Sequence, residues 1–114
     1  MQAFNLKTAV HFGAGALDCL KSLAGEQAFI VTDAMMEKLG FVDQVVSMLQ
    51  EVGFSSTTFT DVTPDPDIKM VTAGLEKMVV NLPDIVVAIG GGSVIDTAKG
   101  ILYSYGKKIG RAHV

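Results

Sequence analysis

The length, composition and charge of the chain limit its function before any motif is considered. Its 114 residues suit a single domain, and 49% hydrophobic residues are enough to bury a core. A formal net charge of -3 argues against nucleic acid as the main partner. No apolar run reaches about 18 residues, so we expect no transmembrane helix. One cysteine, with no basic and apolar leader in MQAFNLKTAVHFGAG, predicts a cytoplasmic protein.

Strand-like and helix-like segments alternate along the first half of the chain. NLKTAVHF alternates weakly and predicts one or two short strands, and GAGALDCLKSLAG predicts a helix. AFIVTD is typical of a strand that is buried on both faces. FVDQVVSMLQEVG has one apolar helical face, and the threonine-rich FSSTTFT is typical of an outer strand.

The second half continues the alternation. A third helix is predicted after TPDPD, with Asp65 as its N-cap and Pro66 in the first helical position. DIVVAI is the most apolar run and predicts the central strand, and residues 93–105 predict a fourth helix. This alternation predicts an α/β fold, a Rossmann-like doubly wound parallel sheet built from βαβ units.

Two glycine-rich loops compete as a phosphate site, and FGAGALD is the weaker candidate. It has the G-x-G pattern, and Asp33 follows it by about 20 residues, as in the Rossmann fingerprint. However, Asp18 stands at the third glycine position, where a carboxylate does not favour a pyrophosphate. A plain strand-to-helix turn is the alternative interpretation.

The second loop is Gly90-Gly91-Gly92-Ser93, which follows the most apolar strand and opens a helix. In open α/β sheets, ligands bind beyond the carboxyl ends of the strands, where a helix N-terminus offers N–H groups to phosphate. The alternative is close packing or a positive φ, but one glycine would meet that need. Three in succession therefore favour a phosphate cradle. The Ser93 hydroxyl can cap the helix, with Asp96 three residues later, or face a phosphate.

Two aspartates at the ends of strands each have two interpretations. Asp33 ends AFIVTD at the same sheet edge as the glycine loop. A carboxylate there can accept hydrogen bonds from the adenosine ribose and would repel a 2′-phosphate, which favours NAD over NADP. It can equally cap the short turn AMMEKLG. Asp65 is likewise either a cap alone or a contact to the nucleotide.

The motifs FGAGAL, AFIVTD, TPDPD and above all DIVVAIGGGSVIDTAKG resemble those of the iron-containing (group III) alcohol dehydrogenases. The resemblance runs over about residues 10–105. Glycerol dehydrogenases and dehydroquinate synthases carry related glycine loops. TPDPD and the serine after the glycines favour the alcohol dehydrogenase branch. Within that branch, the chain looks most like enzymes that act on small alcohols, including the propanol and propanediol-utilisation types.

This resemblance implies the NAD(H)-dependent interconversion of a small primary alcohol and its aldehyde. It implies that residues 90–93 form the pyrophosphate loop, that Asp33 binds the adenosine ribose and that Asp65 lies near the nucleotide. It also implies a divalent metal, commonly iron, that polarises the alcohol oxygen. The family's metal ligands, an aspartate and three histidines, lie in a later helical domain.

The chain stops before that helical domain, so we expect no metal ligand, no catalytic residue and no turnover from the 114 residues alone. Residues 1–105 are then part of a dinucleotide-binding domain, and 106–114 form a tail of unassigned status. The alternatives are a stand-alone or remnant nucleotide-binding module and a glycerol dehydrogenase-like polyol oxidoreductase. The expected partners are a small alcohol or aldehyde and further copies of the chain, with neither nucleic acid nor membrane. The propanediol-type resemblance adds a bacterial microcompartment as an alternative location.

Overall fold

The computed structural model describes residues 2–5, 9–11, 26–63 and 67–108, and the side chains of 26–63 and 67–106. The helix expected in GAGALDCLKSLAG lies outside these residues. The strands are β1 (Gln2–Asn5), β2 (Ala9–His11), β3 (Gln27–Thr32), β4 (Ser55–Phe59) and β5 (Ile85–Ile89). The helices are α1 (Ala34–Lys38), α2 (Phe41–Glu51), α3 (Ile68–Asn81) and α4 (Gly92–Lys108).

The described strands form one sheet in the order β2-β1-β5-β3-β4. Strands β4, β3 and β5 are parallel, whereas β1 pairs antiparallel with both β5 and β2. The predicted α/β class is confirmed, as are the central position of DIVVAI and the outer position of FSSTTFT. The antiparallel pair at the β5 edge is an addition that the alternation of segments did not predict.

The sheet is buried on both faces because its central strands alternate side chains between two apolar layers. Ile30 and Val87 point towards α2, whose Val45 and Leu49 complete one layer. The opposite layer receives the other side chains of the same strands together with residues from α3 and α4. Its buried members are Phe29, Val31, Phe59, Val62, Met78, Val86, Ala88, Val94, Ala98, Ile101, Leu102 and Tyr105.

Asp84 fixes the amino-terminal edge of the parallel strands. Its Oδ2 accepts hydrogen bonds from the N–H groups of Glu26 at 2.7 Å and Gln27 at 2.9 Å. Its own N–H donates to the carbonyl oxygen of Gln27 at 2.8 Å. These bonds hold the starts of β3 and β5 together and leave the carboxyl ends of the strands for other contacts.

Two helix starts differ from the sequence predictions. The N-cap of α3 is Asp67, whose Oδ1 accepts from the N–H of Met70 at 3.0 Å, so the predicted cap at Asp65 and start at Pro66 are wrong. Both aspartates precede the same apolar periodicity, but α3 begins only at Ile68. Asp65 itself lies outside the described residues. Helix α4 begins at Gly92, one residue before the predicted start. It continues through residues 106–108, which we had predicted to belong to the tail.

No helix in the described part of the chain is both long enough and apolar enough to span a membrane.

Candidate nucleotide-binding site

A cleft of about 410 Å³ lies where the chain leaves the carboxyl ends of the three parallel strands. This volume falls in the range of about 300 to 1,000 Å³ that is usual for small-molecule sites. One wall is formed by the segment that follows β3, another by the segment between β4 and α3, and the third by the segment that follows β5. The lining residues are Asp33, Ala34, Met35, Val62, Thr63, Gly91, Gly92, Ser93 and Val94.

The cleft sits at the point where two adjacent strands send the chain in opposite directions. After β3 the chain continues to α2, which packs on one face of the sheet. After β5 it enters α4, which packs on the other face. Strands β3 and β5 are neighbours, so a crevice opens between their outgoing segments. In open α/β sheets this topological switch point is where ligands bind.

The three glycines between β5 and α4 are needed for different reasons. Gly90 has φ +145°, and a Cβ on it would lie 2.7 Å from Cγ2 of Val94, so both conformation and packing require glycine. At Gly91 and Gly92 a Cβ would meet nothing within 4 Å, and neither residue has a positive φ. The fold therefore explains the first glycine, whereas the other two leave open space on the cleft wall.

Helix α4 presents its N-terminus to this open space. The carbonyl of Gly91 accepts from the N–H of Ile95 at 3.1 Å, so Gly91 is the residue at which the helical bonding begins. The first N–H groups of a helix lack intrahelical acceptors and carry partial positive charge, which suits an anion. Ser93 lines the cleft within this first turn. Its predicted role as N-cap is wrong, because the helix starts one residue before it.

Asp33 fulfils its predicted role as a helix cap and also lines the cleft. Its Oδ1 accepts from the N–H of Met36 at 2.8 Å, so it is the N-cap of α1. The same side chain is half-buried and lines the cleft opposite the glycine loop. A carboxylate has two acceptor oxygens, so capping with Oδ1 is compatible with binding a hydroxyl through Oδ2.

Four of the six predicted site residues meet in the cleft: Asp33, Gly91, Gly92 and Ser93. Gly90 supports the loop from behind instead of lining it. Asp65 and the weaker loop FGAGALD lie outside the described residues.

Sequence reasoning missed the other five residues that line the cleft, which are Ala34, Met35, Val62, Thr63 and Val94. Val62 and Thr63 follow strand β4 and directly precede the first proline of TPDPD. Their position at the end of a predicted strand was the signal that could have identified them. Within the described residues, no group of three or more His, Cys, Asp or Glu side chains could hold a metal ion.

The profile of a family described as iron-containing alcohol dehydrogenase matches residues 7–113. The chain is 39% identical over 106 residues to an NADPH-dependent butanol dehydrogenase of Clostridium saccharobutylicum, covering 92% of this chain and 27% of that protein. It is 35% identical over 103 residues to the 1-propanol dehydrogenase PduQ of Citrobacter freundii, covering 90% and 28%.

The fold is similar to the structure of an iron-containing alcohol dehydrogenase from Thermococcus thioreducens. The TM-score is 0.76 at 28% identity, over 85% of this chain and 26% of that one. The chain thus spans about a quarter of the length of these relatives.

Proposed function

The chain belongs to the iron-containing alcohol dehydrogenase family, and on that premise we propose that its cleft binds the pyrophosphate and adenosine ribose of NAD(H). In this proposal, residues 90–93 and the N-terminus of α4 hold the pyrophosphate. Asp33 accepts hydrogen bonds from the ribose hydroxyls, and Asp65 lies near the nucleotide. The whole protein would interconvert a small primary alcohol and its aldehyde.

One observation carries the proposal. Gly91 and Gly92 leave open space that no residue of the described fold fills, and that space faces a helix N-terminus. A phosphate group fits both features, because its oxygens can approach glycine backbone closely and its charge complements the helix dipole. Asp33, across the same cleft, supplies the acceptor that a ribose diol needs.

The preference for NAD over NADP rests on the charge of Asp33. A carboxylate at the ribose would face the 2′-phosphate of NADP at short range and repel it. The butanol dehydrogenase relative is described as NADPH-dependent, so the preference proposed for this chain differs from that of the relative.

The bound nicotinamide would supply the hydride acceptor for alcohol oxidation. The described residues offer no metal-binding cluster, so we assign none of them to the divalent metal that the resemblance implies. Their proposed part is to bind and orient the dinucleotide.

Small alcohols are the proposed substrates because two relatives are named for butanol and 1-propanol. Cytoplasmic location and assembly into a homo-oligomer stand as predictions from sequence and resemblance.

The test is direct titration of the chain with NADH. The sequence contains no tryptophan, so the fluorescence of NADH can be followed without energy transfer from that residue. Saturable enhancement should be accompanied by a rise in melting temperature, because a ligand that binds only the native state stabilises it. A linear fluorescence response together with an unchanged melting temperature would contradict the proposal.

A further inference from the structure

Among the described residues, two buried threonines bond to carbonyls that flank the glycine loop. Thr32 is 0% exposed, and its Oγ1 donates to the carbonyl oxygen of Ile89 at 2.7 Å. Thr97 is 1% exposed, and its Oγ1 donates to the carbonyl oxygen of Ser93 at 2.7 Å. The bond of Thr32 crosses from β3 to β5, whereas that of Thr97 closes one turn within α4.

The hydroxyl of Thr32 has no role in apolar packing. Residues Ala28 to Val31 of the same strand are all apolar and fully buried, and valine would fill the position of Thr32 with the same shape. A buried hydroxyl disfavours folding unless it is hydrogen-bonded. Its bond to Ile89 therefore offsets a cost that valine would not incur, so the packing gives no reason for the hydroxyl.

The position of this bond links the two walls of the cleft. Thr32 pairs with Ile89 at the end of the β3–β5 register, directly before Asp33 on one strand and Gly90 on the other. Beyond this pair the chain leaves towards opposite faces of the sheet, so no further ladder bond holds the walls together. The peptide plane between Ile89 and Gly90 is rigid, and fixing its carbonyl also fixes the direction of the Gly90 N–H.

We propose that Thr32 is a positioning residue for the dinucleotide. Its hydroxyl sets the separation and orientation of Asp33 and the loop 90–92, so that one ligand can contact both at once. This inference rests on the proposed function, because it assigns the ribose to Asp33 and the pyrophosphate to the loop. It predicts that Thr32 matters most for a ligand that spans both walls.

The experiment compares NADH with inorganic pyrophosphate, which can contact the glycine loop alone. The Kd of NADH is measured by its fluorescence, and pyrophosphate is measured by its displacement of NADH. Thr32→Val should raise the Kd of NADH about five- to tenfold, which corresponds to one hydrogen bond, and leave the inhibition constant of pyrophosphate unchanged. Thr32→Ser retains the hydroxyl and should keep both values.

Thr97→Val is the matched control, since it removes an equally short bond from an equally buried threonine without crossing the crevice. It should leave the Kd of NADH unchanged, because the Ser93 carbonyl lies within a regular helix.

An equal loss for both ligands in Thr32→Val would overturn the positioning role, as would unchanged NADH binding. If Thr32→Val does not fold, Thr32→Ser decides, because loss of NADH binding by a folded Thr32→Ser would also overturn it. Failure of the unchanged chain to bind NADH would instead refute the proposed function, and the role of Thr32 with it.

Discussion

Gly90 packs so closely against Val94 that a Cβ on Gly90 would lie 2.7 Å from one methyl group of Val94 and 3.1 Å from its Cβ. Gly90 also has φ +145°, a conformation that other residues rarely adopt. Val94 is 1% exposed and belongs to the layer beneath α4, so it has little room to shift. The start of α4 thus depends on the absence of one methyl group.

Gly90→Ala should therefore lower the free energy of unfolding by at least about 2 kcal/mol, as strain and overlap act together. The measurement is urea unfolding followed by circular dichroism. Gly91→Ala is the matched control, because a Cβ there meets nothing within 4 Å. It should change stability by no more than about 0.5 kcal/mol, and equal losses in the two variants would contradict this explanation.

Gly91→Asp should separate binding from stability. An aspartate at this position would precede α4 as a favourable N-cap, so the free energy of unfolding should be unchanged or slightly higher. Its carboxylate would occupy the space proposed for the pyrophosphate and repel it. We expect no NADH-dependent rise in melting temperature, measured beside the unchanged chain. A variant with the usual thermal shift would show that the phosphates bind elsewhere.

Asp33→Asn should change the choice of cofactor without removing the cap of α1. Asparagine keeps the side-chain oxygen that accepts from Met36 N–H, but it lacks the charge that opposes a 2′-phosphate. The ratio of the Kd for NADPH to the Kd for NADH should fall about tenfold, a shift of about 1.4 kcal/mol.

The control for that substitution is Asp67→Asn. Asp67 caps α3 by the same type of bond, at 3.0 Å to Met70, but it is not among the residues that line the cleft. The ratio should not move in this variant. A similar shift in both would indicate a general effect of net charge and not a contact with the ribose.

Leu82→Gly should stabilise the chain. Leu82 has φ 49° and ψ 62° at the end of α3, and it is the one non-glycine residue with a positive φ in the described segments. Its side chain is 64% exposed, so little packing is lost. Relief of the left-handed strain should exceed the entropic cost of glycine, so the free energy of unfolding should rise by about 0.5 kcal/mol, as measured in urea.

Leu39→Gly is the matched control, and it should change the free energy of unfolding in the opposite direction. Leu39 also ends a helix and is 59% exposed, but its φ is -77°. Glycine there relieves no strain and increases the entropy of the unfolded chain, so stability should fall by about 0.5 to 1 kcal/mol. Stabilisation of both variants, or of neither, would refute the strain at Leu82.

The position of a strand in the sheet was predictable where its composition matches its environment. Ile85–Ile89 is wholly apolar and occupies the centre, whereas Ser55–Phe59 carries hydroxyls and lies at the edge. Strand partners are less predictable, because nothing local in Gln2–Asn5 specifies antiparallel pairing with β5. The cap of α3 was misplaced because Asp65 and Asp67 precede the same periodic pattern.

The site was predictable through residues whose chemistry is unusual for their position. Consecutive glycines and a strand-terminal aspartate indicated the loop and Asp33. The glycines have different roles, since Gly90 is required by the fold whereas Gly91 faces the cleft. This difference depends on interatomic distances, which the spacing of residues in the sequence does not reveal. Thr32 was overlooked because threonine is common in strands, and only the contact with Ile89 shows what its hydroxyl does.

The pairing of Thr32 with Ile89 joins residues 57 positions apart in the chain, and this has a consequence for the order of folding. Closing so long a loop is entropically unfavourable before its contacts can compensate. Strands β3 and β4 can associate as soon as residue 59 is present. The glycine loop can take its place in the cleft only after β5 has docked between β3 and β1. A growing or refolding polypeptide is therefore expected to complete the proposed nucleotide site only after β5 has joined the sheet.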